Sequence, residues 1–269
     1  MTTNDTAFAG SIPALYDRHL GPVLFEPYAA DMVRRFARLS EGAILETASG
    51  TGIVTRQLTT ALPAAVRIVA TDLNQPMLDH AASKPGMARV EFRQADALKL
   101  PSPDGTFDAI VCQFGVMFFP DRVAAYREAR RVLKPNGQLV FSVWDSLMRN
   151  LLSATVVDAM AVHFPHDPPR FIARVPHGYH DAAAIRAELA AAGFTTVAIE
   201  TVALTSRAES HRDPAIGFCQ GSPMRGEIEA RDPDGLQAAT DAAADALAAR
   251  FGTGAIAAPM QALVITAST

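Results

Sequence analysis

The sequence predicts an α/β fold built on a mostly parallel sheet with helices on both faces. The first observation is the stretch Ala43-Ile44-Leu45-Glu46-Thr47-Ala48-Ser49-Gly50-Thr51-Gly52. There an apolar run ends at an acidic residue and passes through small residues and two glycines into a helical pattern, which reads as strand, tight turn, helix. The second is repetition: four further strand patterns follow at 65–71, 90–94, 107–112 and 138–144, separated by helical ones. That alternation implies βαβ units, whose right-handed crossovers place helices on both faces. The third is placement. The glycine turn, Asp72, Asp96 and Gln113 all fall just after strands, and open sheets of this kind bind ligands outside the carboxyl ends of their strands.

Composition narrows the function classes. The 269 residues are 49% hydrophobic and 19% charged, ample material for a core. A net charge of −4 without a Lys/Arg-rich block disfavours nucleic acid as a partner. No apolar run approaches membrane-spanning length, and the first residues lack the basic-then-apolar pattern of a signal peptide. Cys112 and Cys219 form neither a metal nor a disulfide pattern, which points to reduced thiols in a cytoplasmic protein.

In chain order, residues 1–14 read as a loose polar tail, and Gly21, Pro22 and Pro27 as breakers of regular structure. Ala29 to Leu39 reads as a helix with Met32, Val33, Phe36 and Leu39 on one face. Residues 52–62 form the next helix. Pro76 to Ser83 is another, with Asn74 in position to cap it. Asp121 caps a helix to about Leu133, and Lys134-Pro135-Asn136-Gly137 is a turn that stops it. Residues 146–178 carry no strand pattern and read as an insertion, helical near 147–162. Asp181 to Gly193 is a helix and Thr195 to Leu204 a sixth strand. A second insertion, 207–254, holds helices near 212–220, 222–230 and 234–251, and Ala258 to Thr266 is a final strand.

Glu46-Thr47-Ala48-Ser49-Gly50-Thr51-Gly52, Asp72, Ala95-Asp96-Ala97, Phe107-Asp108-Ala109-Ile110-Val111 and Leu133-Lys134-Pro135-Asn136-Gly137 together resemble the class I S-adenosylmethionine-dependent methyltransferases. The chain is most similar to the small-molecule group that includes quinone-biosynthesis methyltransferases. The resemblance is tight over 43–144 and covers the element order of nearly the whole chain. It implies a Rossmann-like three-layer sandwich with seven strands, the last antiparallel. It further implies a single domain over 1–269, with an N-terminal lid (1–40) and helical substrate covers (146–180 and 207–255). The expected cofactor is S-adenosyl-L-methionine and the expected partner a small-molecule methyl acceptor, with neither nucleic acid nor membrane involved.

The residue types suit that cofactor. Gly50 and Gly52 let backbone approach its amino-acid tail and ribose, and Ala48 stands where the family often has a third glycine. Glu46, by resemblance, orders the turn and meets the cofactor amino group, directly or through water. Asp72 can accept from both ribose hydroxyls. Asp96 can accept from the adenine amine, the Ala97 N–H can donate to the ring, and Leu73 and Met77 can cover its face. Gln113 and Phe114 fall near the reacting centre. A dinucleotide fingerprint would place Gly or Ala where Thr55 stands, which argues against a nicotinamide oxidoreductase.

The acceptor is less legible. Arg170, Phe171, Arg174, Tyr179, Phe218, Met224 and Arg225 in the insertions suit a small aromatic or heteroaromatic metabolite. Its attacking atom, oxygen, nitrogen or carbon, stays open. No catalytic side chain is assigned; His177, Tyr16 and Tyr28 are candidates, with structural packing the competing reading for each. His163, His166, His177 and His180 cluster, yet no thiol or carboxylate set completes a metal site, and none is expected. Asp108 and the Arg127/Arg130/Arg131 group with Glu128 read as structural, the latter as a solvated helix face. A cofactor-binding regulatory or scaffold subunit without catalysis is the alternative function.

Overall fold

The computed structural model describes Asp5 and residues 10–268. Seven strands form one sheet in the order β3-β2-β1-β4-β5-β7-β6: β1 (Gly42–Glu46), β2 (Val66–Asp72), β3 (Val90–Gln94), β4 (Phe107–Gln113), β5 (Leu133–Trp144), β6 (Thr196–Ala208) and β7 (Ile256–Ser268). The first five are parallel, with Ile44 opposite both Ile68 and Ala109 and Val111 opposite Val140. The last strand is antiparallel, inserted between β5 and β6. The central strands are apolar along both faces, as a sheet covered on both sides requires: Ile44, Leu45, Ile68, Ile110, Val111, Val140 and Phe141 are all buried. Strand order reverses between β1 and β4, the topological switch point at which such sheets open a crevice.

Two compact units can be distinguished. One comprises Tyr28–Val143, His180–Thr201 and Leu263–Thr269; the other comprises Met1–Pro27, Trp144–Tyr179 and Val202–Ala262.

The first unit holds α3 (Ile53–Ala61), α4 (Gln75–Ala82), α5 (Arg122–Val132), α8 (Ala182–Ala191) and most of α2 (Glu26–Arg34). Asp121 caps α5 as its sequence position suggests, its carboxylate accepting from the Ala124 N–H at 2.9 Å. Asn74 starts α4 without a side-chain capping bond; its carboxamide turns back to Asp72 at 3.4 Å. Helix α2 stops at Arg34, short of the expected Leu39. The N–H groups of Arg35, Phe36 and Ala37 bond three residues back, so the last turns tighten out of α geometry. The Lys134-Pro135-Asn136-Gly137 turn lies inside β5 and does not precede it. Leu133 pairs with Phe107 and Gln138 with Ala109, so the four residues bulge out between two paired positions, with Asn136 left-handed at φ 65°. The Arg131 group is also more than a solvated face. Arg131 donates to Glu128, to Asp104 and to the carbonyls of Leu100 and Ser102, and Glu128 accepts from the Leu100 N–H, fastening the 100–104 loop.

The second unit is mostly helical, holding besides parts of β6 and β7 the helices α1 (Ile12–His19), α6 (Leu151–His163), α7 (Phe171–Arg174), α9 (Arg212–Cys219), α10 (Met224–Glu229) and α11 (Leu236–Phe251), with α11 packed on α6 and α9 and α1 on α9. The expected tail and breakers are helical instead. Residues 12–34 run through α1, a π-helical turn (Gly21–Phe25) and α2, because Pro13, Pro22 and Pro27 each occupy a first-turn position, where no N–H is needed. The remainder of that tail, residues 1–4 and 6–9, lies outside the described residues. Buried Asn150 donates to the Asp145, Ser146 and Gln261 carbonyls and accepts from the Gln261 N–H. Arg174 joins Asp5 and Glu227, whose other carboxylate oxygen accepts from the Arg170 and Phe171 N–H groups. No helix among the described residues is long and apolar enough to cross a membrane.

Candidate active site

The carboxyl ends of β1, β2, β3 and β4 meet on one rim of the first unit. The turn after β1 is held by backbone bonds to both neighbours: Thr47 N–H donates to Val111 O (3.0 Å) and Ser49 N–H to Thr71 O (2.9 Å). Three of its residues are left-handed, Ala48 at φ 51°, Gly50 at 55° and Gly52 at 79°. A Cβ built on Gly50 would meet nothing within 4 Å, so its backbone faces open space. The Ser49 hydroxyl is buried with no hydrogen-bond partner among the described residues. An orphaned hydroxyl beside bare backbone is what a polar ligand would complete.

Asp72 ends β2 and is buried. Its Oδ2 accepts from the Gly50 N–H and its Oδ1 from the Asn74 N–H, both at 2.8 Å. Burial raises its pKa against the opposing pull of those N–H groups. Oδ1 accepts in addition from the Asn74 carboxamide at 3.4 Å, whereas Oδ2 keeps a second lone-pair direction for a further donor.

Glu46 is 2% exposed. Its Oε2 accepts from the Thr55 hydroxyl of α3 at 2.5 Å, and its backbone carbonyl accepts from the Thr71 hydroxyl at 3.0 Å. Burial pushes its carboxyl up to about 8, with the nearby Asp72 charge adding to the rise and Thr55 opposing it. Glu46 thus ties the turn to α3. Thr55 appeared in the sequence only as a residue that excludes dinucleotides; its signal was its place on the first turn of the helix after the glycines, where a hydroxyl faces back toward β1.

Further along the rim, the Asp96 carboxylate is exposed and accepts from the Leu98 N–H at 2.9 Å, while its carbonyl accepts from Lys99. Ala97 beside it is half-buried. Leu73 is 51% exposed and Met77 is buried. Gln113 ends β4 opposite Ser142. Phe114 follows at φ 53°, rare for a bulky residue, its N–H donating to the Ser142 carbonyl at 3.1 Å and its ring edge-on to buried Tyr28 at 5.3 Å. Gly115 lies directly against Ala48: a Cβ there would stand 2.5 Å from the Ala48 methyl and 2.8 Å from Cys112 Sγ. The Ala48 methyl is therefore accommodated by a glycine across the switch point, a pairing not visible in the turn alone.

The other two candidates belong to the second unit. Tyr16 stacks on Phe25 at 4.7 Å. His177 is buried beside Trp144, its Nδ1 2.8 Å from the Asp145 carbonyl. Among the described residues no group of three or more His, Cys, Asp or Glu side chains is arranged to hold a metal. Asp108 is structural: its carboxylate accepts from the Ala43 N–H and from Lys134, both at 2.8 Å. Burial pushes the Cys112 and Cys219 thiols up to about 12, so both are inert.

A parallel sheet with a glycine turn after its first strand and carboxylates after the second and third is the arrangement found where open α/β sheets bind nucleotides. Comparison with known proteins makes the class specific. Residues 45–141 match the methyltransferase-domain family. The chain is 37% identical to a demethylmenaquinone methyltransferase of Deinococcus radiodurans over 134 residues, 49% of this chain and 54% of the relative. It is 32% identical to the ubiquinone/menaquinone biosynthesis C-methyltransferase UbiE of Pseudomonas aeruginosa, over 59% of this chain and 67% of that one. The chain thus spans between half and two thirds of these relatives. In fold it resembles phosphoethanolamine N-methyltransferase 2 of Haemonchus contortus, solved with phosphomonomethylethanolamine and S-adenosylhomocysteine (TM-score 0.61, 15% identity, 96% of this chain and 56% of that one). The chain belongs to the class I S-adenosylmethionine-dependent methyltransferases, and its cofactor is S-adenosylmethionine.

Proposed function

We propose that the rim from Glu46 to Gln113 binds S-adenosylmethionine and that the protein methylates a small aromatic or heteroaromatic metabolite, with a quinone-type ring the leading class. The observation that carries the cofactor assignment is the Asp72 carboxylate, fixed by the Gly50 and Asn74 N–H groups beside the open backbone of Gly50. Asp72 is assigned to the ribose hydroxyls. Ala48, Gly50 and Gly52 form the turn that admits the amino-acid tail, with Glu46 at its start. Asp96 and the Ala97 N–H recognise the adenine edge, Leu73 and Met77 its face, and Gln113 borders the reacting end. The quinone reading rests on similarity to the two quinone-pathway relatives.

When bound, the cofactor supplies a methyl group already activated on a sulfonium. The protein's contribution is then orientation and exclusion of water. No side chain is assigned as a base.

Titration calorimetry with S-adenosylhomocysteine, on the protein and on Asp72→Ala, tests the cofactor site. Loss of charged hydrogen bonds worth about 1.5–3 kcal/mol predicts binding weaker by roughly tenfold or more; an unchanged affinity would remove Asp72 from the site. Radiolabelled methyl transfer to a panel of quinols, phenols and heteroaromatics tests the acceptor. Binding without transfer to any of them would favour the non-catalytic alternative.

A further inference from the structure

Glu46 is an anomaly as a site residue. It ends the central strand β1 with almost no exposure, and among the described residues the only hydrogen-bond donor to its carboxyl is Thr55. Among the described residues no lysine or arginine pairs with it. The titratable groups facing it are Asp72 from β2 and Cys112 from β4, both unable to neutralise a carboxylate; α3 contributes the Thr55 hydroxyl. An isolated buried carboxylate is costly, and such a group stays protonated until a cation arrives. The ligand proposed for this rim carries an ammonium, beside a carboxylate, at its amino-acid end.

We infer that the protein takes up its cofactor in exchange for a proton: Glu46 stands as a neutral acid in the free protein, with Thr55 as the positioning residue that fixes one of its oxygens, and ionises when the ammonium of the amino-acid tail seats beside it. This rests on the cofactor reading above. In the step the Glu46 O–H bond breaks, its electron pair stays on the carboxylate, and the proton passes to solvent; the ligand's ammonium keeps its own protons. Cofactor affinity becomes pH-dependent through a residue that itself takes no part in methyl transfer.

Calorimetric titration of S-adenosylhomocysteine in buffers of different ionisation enthalpy counts the protons released. With the Glu46 carboxyl at about 8, the difference between the protein and Glu46→Gln is expected to be about 0.9 proton per ligand at pH 7, about 0.5 at pH 8 and nearly none at pH 9.5. The ligand's own amine titrates equally in both proteins and cancels. Thr55→Val removes the donor that favours the ionised form, so the half-release point moves to higher pH and affinity at pH 7 falls; Thr55→Ser restores both. A merely structural Thr55 would weaken binding without moving the half-release point. If Glu46→Gln does not fold, the Val and Ser variants at Thr55 decide alone. Equal proton release by the protein and Glu46→Gln, or a half-release point unmoved in Thr55→Val, overturns the inference while leaving the cofactor site standing. Absence of any binding by the unaltered protein removes the cofactor reading and this inference with it.

Discussion

Gly115→Ala places a methyl where the Ala48 side chain already stands. The new Cβ would lie 2.5 Å from the Ala48 methyl and 2.8 Å from Cys112 Sγ, against an optimum near 3.5–4.0 Å between non-bonded carbons. About 1 Å of movement is needed, and neither neighbour yields easily. Ala48 belongs to a turn fastened to Val111 and Thr71, and Cys112 is buried in β4. Overpacking of this kind costs about 1–3 kcal/mol. Scaled by the usual unfolding entropy of about 2.1 cal/mol/K per residue, 2 kcal/mol lowers the melting temperature of a chain this size by about 4 °C. Ala48→Gly alone is expected to change stability by less than about 1 kcal/mol. Relief of a left-handed alanine, worth about 1–2 kcal/mol, is largely offset by the greater freedom of glycine in the unfolded chain. In the double variant the contact with the Ala48 methyl is removed while that with Cys112 Sγ remains, so stability is regained in part and the two substitutions should couple by about 1 kcal/mol. Urea denaturation followed by far-ultraviolet circular dichroism on the four proteins of the cycle measures this. Additive effects, or a Gly115→Ala protein as stable as the parent, would refute the reasoning.

Three further outcomes are expected. Asp108 and Glu128 are held below the ordinary carboxylate range, Asp108 by Lys134 and the Ala43 N–H against the burial that would raise it, and Glu128 chiefly by Arg131. Their stabilisation is present above the unfolded values of 3.8 and 4.5 and is lost as pH falls through the lower folded values. Glu46 acts in the opposite sense. Its folded value near 8 lies above the unfolded 4.5, so stability declines as pH rises between the two and levels off beyond 8; melting temperatures of Glu46→Gln should lack that decline. Cys112 and Cys219, buried and raised to about 12, should resist iodoacetamide at pH 8 in the folded protein and react fully in urea, which mass spectrometry of the alkylated chain resolves.

The strand–turn–helix rhythm, the carboxyl ends of the first five strands and most helices of the insertions were legible in the sequence because each rests on local periodicity and punctuation; the sixth strand runs to Ala208, beyond the expected Leu204, and the short helix Phe171–Arg174 was not expected. Asp121 announced its cap and Gly50 its turn for the same reason. What escaped were features decided by partners far along the chain. Thr55 meets Glu46, and Ala48 meets Gly115, only once β1, α3 and β4 are assembled. The prolines at 22 and 27 looked like breaks because a first-turn proline and a loop proline are the same residue in one dimension. The four-residue bulge in β5 was hidden because Leu133 pairs with Phe107 before the chain leaves the sheet. The proposed acceptor side remained the least legible, since aromatic and basic residues scattered through helices carry no spacing code.

Asp72 has a consequence for redesign. One carboxylate both clamps the backbone of Gly50 and stands as the assigned ribose acceptor. Scaffold and recognition are therefore the same atoms, and a search for variants that accept ribose-altered cofactor analogues cannot begin at this position without loosening the turn itself. Leu73, exposed and bound to the fold mainly through its backbone, is the neighbouring position where variation carries little architectural debt, and libraries aimed at donor analogues are better seeded there.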